Sequence, residues 1–124
     1  MKATGSMRRR MLERLLRRHG AQLSAWKQVL REELPAMAAD VRDIVEDGVD
    51  HVARAVGAAM VEASSSTVRG IESALGRLQR GTYGACQDCG GRIPAARLRV
   101  IPFALRCRDC QQEWEALGSA AMAS

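Results

Sequence analysis

Apolar residues recur every three or four positions through the first third of the chain. The series is Leu12, Leu16, His19, Leu23, Trp26, Leu30, Leu34, Met37, Val41 and Ile44. This spacing predicts a helix with one buried seam. The alternation slips between Trp26 and Leu34, next to Pro35, which has no backbone donor. We therefore expect a kink or a short break near Pro35.

A second apolar series predicts another long helix that ends before Gly81. Its members are Val49, Val52, Val56, Ala59 or Met60, Ala63, Thr67, Ile71, Ala74 or Leu75, and Leu78. Gly48 permits a tight reversal between the two helices, and Asp47 or Asp50 can cap the returning one. The serine and threonine residues at 64–67 weaken helix formation, so a flexible break there stays open. The pattern predicts a helical hairpin with an acidic tip near residues 43–50.

The amino-acid composition changes after Gly81, where glycines and prolines surround four cysteines. They form two Cys-x-x-Cys pairs with 17 residues between them: Cys86, Cys89, Cys107 and Cys110. Two turns with this spacing can present four thiolates to one tetrahedral zinc ion, which leaves no open position for substrate. Redox-active or disulfide-forming pairs are the alternative, but neither pair follows a strand and opens a helix. We expect one structural Zn²⁺.

The sequence therefore predicts a mostly α protein with two parts. Residues 7–80 form the long antiparallel coiled-coil hairpin, and residues 81–118 form the four-cysteine finger with a short C-terminal helix. Residues 1–6 and 119–124 are expected to be disordered. Because the finger is too small to bury much apolar surface, we expect metal binding to supply much of its folding free energy.

Charge is distributed unevenly along the chain. Residues 2–18 contain seven basic side chains and one acid, whereas residues 32–62 contain eight acids and two arginines. The basic cluster suits a nucleic acid or an acidic partner, although a solvated helix face is the more ordinary interpretation. No apolar run is long enough for a membrane span, so we expect a cytoplasmic protein with no membrane association. No catalytic motif is present, and we do not expect an enzyme.

The finger and the helix before it resemble the DksA/TraR family of zinc-finger transcription regulators. The resemblance is carried by Ile71-Glu72, Ala74-Leu75, Arg80-Gly81-Thr82-Tyr83-Gly84, the four cysteines, Gly90, Ile93, Arg97-Leu98, Pro102, Gln111 and Glu115. It implies a protein that binds bacterial RNA polymerase without sequence-specific DNA binding. It also implies that the acidic-tipped coiled coil enters the secondary channel of the polymerase and modulates initiation.

The family's tip motif, Asp-x-x-Asp-x-Ala, aligns with Asp47 and Asp50, and Val52 stands where alanine is usual. Asp47 and Asp50 are therefore the leading candidates for partner binding, followed by Asp43 and Glu46. Asp50 lies 36 residues before Cys86, which implies a shorter arm than in the longer family members.

Longer family members bind guanosine tetraphosphate together with the polymerase through basic residues. Ile101 and Gln111 occupy the positions where the resemblance would place those residues. The sequence therefore gives no support for co-binding of this nucleotide.

We expect the protein to be a monomer.

Two other functions remain open. A DNA-binding zinc module would need a basic face, yet residues 81–124 carry five arginines against four acids. A structural or adaptor protein would use the exposed hairpin as a coiled-coil surface, with self-association through Leu23, Trp26 and Leu30.

Overall fold

The structure is a computed structural model that describes residues 2–41 and 48–123. These residues form five α-helices and one π-helical turn. The elements are α1 (Lys2–Gln28), the π turn (Val29–Glu33), α2 (Leu34–Val41), α3 (Gly48–Arg80), α4 (Ala95–Val100) and α5 (Arg108–Ala123). Two long helical stretches are followed by a small cysteine-containing module, which confirms the predicted mostly α fold class.

The chain packs as two compact units. Residues up to Glu13 and residues from Gly70 onward form one of them, here called the finger unit, and Arg14–Arg69 form the other, here called the arm unit. By packing, the chain therefore divides within α1 and α3. The predicted division into a hairpin (7–80) and a finger (81–118) stays a prediction. The base of the hairpin belongs with the cysteine module.

The buried apolar side chains recorded for the described chain all lie in the finger unit. They are those of Leu12, Ile71, Ala74, Cys86 and Ile93. In the arm unit, the predicted seam residues of the first helix from Leu16 to Leu34 are half-buried, whereas Met37 is 61% exposed. The seam prediction therefore holds as far as Leu34.

The break expected near Pro35 takes the form of a π turn inside an otherwise continuous helix. The Leu34 N–H donates to the Val29 carbonyl, five residues back in place of the usual four. Pro35 supplies no N–H, and its ring would collide with the carbonyl four residues earlier in an ideal helix. Widening the preceding turn removes that conflict without ending the helix.

The second long helix, α3, spans 33 residues and ends at Arg80, close to the predicted end. The flexible break considered at 64–67 is wrong, because the helix continues through it. The Thr67 hydroxyl donates to the Ala63 carbonyl over 3.1 Å. This local bond satisfies the hydroxyl without interrupting the helix.

The inward face of the first half of α3 differs from the predicted one. Val52 and Val56 are 64% and 56% exposed, and Met60 is 40% exposed. Gly57 is buried and lies close to α1–α2: a Cβ placed there would be 2.8 Å from Leu34 Cδ1 and 2.9 Å from Leu30 Cδ1. The missing side chain of Gly57 therefore sets which face of α3 packs inward.

Helical backbone reaches into both segments for which disorder was predicted. The first helix begins at Lys2, and α5 continues to Ala123. Alanine-rich sequence has a high helix propensity, which accounts for the tail. At the other end, the first turns of α1 lie beside the last turns of α3 along a groove lined by Gly5, Ser6, Arg9, Glu13, Glu72, Leu75, Gly76, Leu78 and Gln79. Among the described residues, no helix combines the length and the apolar character that crossing a membrane requires.

Candidate metal centre and hairpin tip

The first cysteine pair lies in a turn that follows α3. The Cys86 N–H donates to the Gly91 carbonyl over 2.7 Å, and the Gly90 N–H donates to the Cys86 carbonyl over 3.0 Å. Gly90 has φ +75°, a backbone conformation that favours glycine. The turn therefore curls both thiols of this pair toward the same side.

The second pair lies at the start of α5. Cys107 precedes the helix and Cys110 is in its first turn, where the Gln111 N–H donates to the Cys107 carbonyl over 2.9 Å. A helix start places residues three apart on the same face. Both thiols consequently point toward the first pair.

The four Sγ atoms of Cys86, Cys89, Cys107 and Cys110 all lie within 4.8 Å of one another. The Cys89 and Cys107 Sγ atoms are 3.9 Å apart. A tetrahedral zinc ion with Zn–S bonds of about 2.3 Å requires sulfur atoms about 3.8 Å apart. The cluster therefore fits one structural zinc ion, and four thiolates would complete its coordination.

Hydrogen bonds from the backbone and between thiols make the pKa values of the cysteines unequal. The N–H groups of Cys89 and then Cys107 lower the pKa of Cys86 to about 6. Hydrogen bonds with Cys107 and Cys86 raise the pKa of Cys110. Zinc binds thiolates, so its binding must release protons from the thiols whose pKa is raised. Zinc affinity is consequently expected to fall as the pH falls.

Arg77 joins α3 to both halves of the cysteine cluster. Its guanidinium donates to the Leu105 carbonyl over 3.2 Å and also to the Ala85 carbonyl. Ala85 directly precedes Cys86, and Leu105 lies two residues before Cys107. Sequence reasoning missed this contact, because both acceptors are backbone carbonyls and these cannot be recognised from the sequence.

A second arginine links the two cysteine pairs directly. Arg106 Nε donates to Asp88 Oδ2 over 2.8 Å, and the guanidinium lies 4.7 Å from the Trp114 ring centroid. Trp114 is 54% exposed. The ring packs against the Arg106 cation.

Tyr83 connects the finger to the N-terminal helix. Its hydroxyl donates to the Pro102 carbonyl over 2.6 Å, and the Arg8 guanidinium lies 5.0 Å from the ring centroid. Burial raises the pKa of Tyr83, and the positive charge of Arg8 acts in the opposite direction. The phenol therefore stays protonated at neutral pH and can serve as a donor.

The predicted tip residues are not brought into a described site. Asp43, Glu46 and Asp47 lie outside the described residues. Asp50 belongs to the first turn of α3, where the backbone alone is described. The tip function of all four residues stays a prediction. Gln111, which stands where a nucleotide-binding basic residue was sought, donates instead to Glu115 over 3.0 Å.

Comparison with known proteins supports the interpretation of the finger. Residues 81–116 match the model of the prokaryotic dksA/traR C4-type zinc finger. The RNA polymerase-binding transcription factor DksA of Escherichia coli K12 is 30% identical over 99 residues, which are 72% of this chain and 64% of that protein. An uncharacterized protein of Aquifex aeolicus is 44% identical over 50 residues, which are 40% of this chain and 34% of that protein. The chain thus spans less than two thirds of these relatives.

A solved structure extends the likeness to the fold. Transcription factor DksA2 from Pseudomonas aeruginosa superposes with a TM-score of 0.66 at 24% identity, and the match covers 94% of this chain and 87% of that one. The fold and the cysteine cluster define a helical-hairpin protein with a structural four-cysteine zinc finger. Within that class, the finger is similar to the dksA/traR C4-type zinc finger, and the longer matched stretch is similar to DksA.

Proposed function

We propose that the protein regulates transcription by binding bacterial RNA polymerase, and that its coiled-coil arm enters the secondary channel of the enzyme to modulate initiation. The observation that carries the proposal is the match to the DksA/TraR finger together with a helical hairpin that precedes it. DksA of Escherichia coli is named as an RNA polymerase-binding transcription factor.

In this proposal the tip acts by charge and not by reaction. Asp47 and Asp50 would approach the active-site region of the polymerase, with Asp43 and Glu46 adding to the negative field. Carboxylates in a confined channel interact more strongly than in open water, because the local dielectric is lower. Guanosine tetraphosphate has no assigned role here, since Ile101 and Gln111 are not basic.

Direct DNA binding by the finger is the less favoured function. Of the five arginines after Gly81, Arg97 donates to the Arg106 carbonyl over 3.1 Å, and Arg106 pairs with Asp88. Two guanidinium groups are therefore used inside the finger. The remaining positive charge is too small to supply the phosphate contacts on which DNA affinity depends.

The test measures binding and transcription separately. Zinc-loaded wild-type protein and the double variant Asp47→Asn/Asp50→Asn are compared for binding to RNA polymerase core and for transcript yield from a ribosomal-type promoter. We expect both proteins to bind, and only the wild type to change transcript yield.

The matched control is Glu32→Gln/Glu33→Gln, which also removes two charges from exposed positions of the arm unit. It should behave like the wild type. Failure of the wild type to bind polymerase would exclude the proposal. If the control loses its effect on transcript yield as completely as the tip variant, that effect depends on the total charge of the arm and not on the tip.

A further inference from the structure

The arm unit leaves one apolar helix face uncovered. Between residues 52 and 63, α3 contains Arg54 and Glu62 as its only charged residues. Gly57 on the inner side is buried, whereas the opposite side is open, with Val52 64% and Val56 56% exposed. An apolar helix face normally packs against another element. This stretch of α3 therefore has a second face that can be buried and has no cover within the described chain.

This face has a defined composition and width. It consists of Val52, Ala55, Val56, Ala59, Met60 and Ala63, all of them exposed, and it is called the outer face below. At about 100° per residue these six positions occupy an arc of about 140°. An arc wider than about 100° is typical of a helix face that packs against another element.

We propose that two copies of the protein associate through their outer faces, with the two α3 helices antiparallel. Val52, Val56, Ala59 and Ala63 are spaced by four, three and four residues, which is the seam of a coiled coil. A two-fold axis between Gly57 and Ala58 sets Val52 opposite Ala63 of the second copy, and Val56 opposite Ala59 of the second copy. Each of the four layers then contains one valine and one alanine.

This self-complementarity identifies a second copy as the occupant. Alternating large and small residues across an interface fills each layer evenly and lets helices pack closely. Parallel pairing in register would place valine against valine and alanine against alanine, which gives layers of unequal width. An interface that repeats the same patch on both partners is the expected form of a symmetric dimer. Met60 lies beside the seam and can cover Val56 of the second copy.

The interface is short, so the association is weak. The seam from Val52 to Ala63 covers about 16 Å at a rise of about 1.5 Å per residue. A single helix pair of this length buries less than the roughly 1,200 Å² that is typical of stable complexes. We therefore expect a weak association, with a dissociation constant in the micromolar range or above.

The test is sedimentation equilibrium of the zinc-loaded full chain from about 1 to 500 µM, a range that covers micromolar dissociation constants. The mass of the wild type should rise toward that of a dimer. Ala59→Glu, which places a charge in the seam, should weaken association at least tenfold. The matched control Ala58→Glu alters an exposed alanine outside the outer face and should associate like the wild type.

Mixing two variants tests the register. Val56→Lys and Ala59→Glu should each be monomeric alone, and together they should form a heterodimer, because position 56 of one copy faces position 59 of the other. Helical circular dichroism and zinc content must match those of the wild type in every variant. No recovery on mixing overturns the antiparallel register and with it the proposal.

Two other results also overturn this inference. They are a wild type that stays monomeric at the highest concentration, and an Ala58→Glu control that dissociates as readily as Ala59→Glu. If the wild type is monomeric and Ala59→Glu also loses polymerase binding, the outer face is assigned to the polymerase and the proposed function stays intact. Failure of the wild type to bind polymerase would reject the proposed function and would not affect the dimer proposal. The failure of one proposal can therefore be distinguished from the failure of the other.

Discussion

In the finger unit, buried side chains, polar contacts and a cluster of thiols act together, whereas in the arm unit two helices meet along a half-buried seam. The finger unit contains every buried apolar side chain recorded for the described chain, including those of Leu12 and Ile71. The arm unit depends on leucines of the first helix that face Gly57 of α3. The arm unit also leaves Met37, Val52 and Val56 exposed.

This difference indicates a division of roles. A unit whose buried side chains lie beside a metal site gains stability from the bound metal. An arm with little buried side-chain area has a small local stability, and such regions are commonly those that bind or move. The arm unit is therefore the part whose stability should respond most to a binding partner.

The largest expected effect comes from removing a zinc ligand. Cys107→Ala leaves three thiolates, and structural zinc in small domains supplies roughly 10 kcal/mol of apparent folding free energy. We expect loss of bound zinc and of the near-ultraviolet circular dichroism of the finger, while helical signal from the arm is largely retained. Zinc content by mass spectrometry and circular dichroism measure this.

The control for that variant is Gln87→Ala, because Gln87 is exposed between two ligands and its backbone N–H bonds to the Leu105 carbonyl. It should keep one zinc ion per chain. Complete unfolding of the arm along with the finger in Cys107→Ala would contradict the division into two units.

The second effect concerns the arginine that joins α3 to the cysteine cluster. Arg77→Met removes hydrogen bonds to two carbonyls, for a loss of about 1–3 kcal/mol. We expect weaker zinc binding in a chelator competition and a lower thermal midpoint for the finger unit. Arg80→Met, which changes an exposed arginine in the same turn of α3, should alter neither value appreciably.

The third effect separates two glycines of the arm unit. Gly20 has no heavy atom within 4 Å of an added Cβ, whereas a Cβ at Gly57 would meet Leu34 and Leu30. Gly20→Ala should stabilise by about 1 kcal/mol through helix propensity. Gly57→Val should destabilise by about 1–3 kcal/mol because it overpacks the seam. Urea unfolding followed by circular dichroism at 222 nm distinguishes the two variants. An equal increase in the free energy of unfolding for both would refute close packing at Gly57.

The smallest effect is expected at the contact of Arg106 with Asp88 and Trp114. Arg106→Gln removes one partly buried ion pair and one cation–π contact, for a loss of about 1 kcal/mol. The fluorescence of Trp114 should change with it. Arg108→Gln, an exposed neighbour, is the control and should leave that fluorescence as it is in the wild type.

Sequence reasoning succeeded where one face of a helix was clearly apolar. The seam from Leu12 to Leu34 follows directly from residue spacing, and the cysteine cluster follows from two Cys-x-x-Cys pairs. The inward face of α3 near Val52 did not follow, because almost every residue there is apolar and the periodicity is lost. The small volume of Gly57 decides that register, and this is a property of packing.

The polar contacts of the finger also could not be predicted from patterns in the sequence. Arg77 and Arg106 donate to groups that are 28 and 18 residues away in the chain. Their partners include a backbone carbonyl, which carries no mark in the sequence. The conflict at Pro35 was visible, but its resolution as a π turn depended on the geometry of the neighbouring turns.

The central claim is that the hairpin tip reaches the active-site region of RNA polymerase. A photo-crosslinking amino acid in place of His51, which is exposed beside Asp50, tests this most directly. The same residue in place of Gln112 on α5 serves as the reference position in the finger unit. We predict that position 51 crosslinks to polymerase segments lining the secondary channel near the active site, and that position 112 crosslinks outside the channel. Crosslinking of position 51 only to surfaces outside the channel would contradict the account.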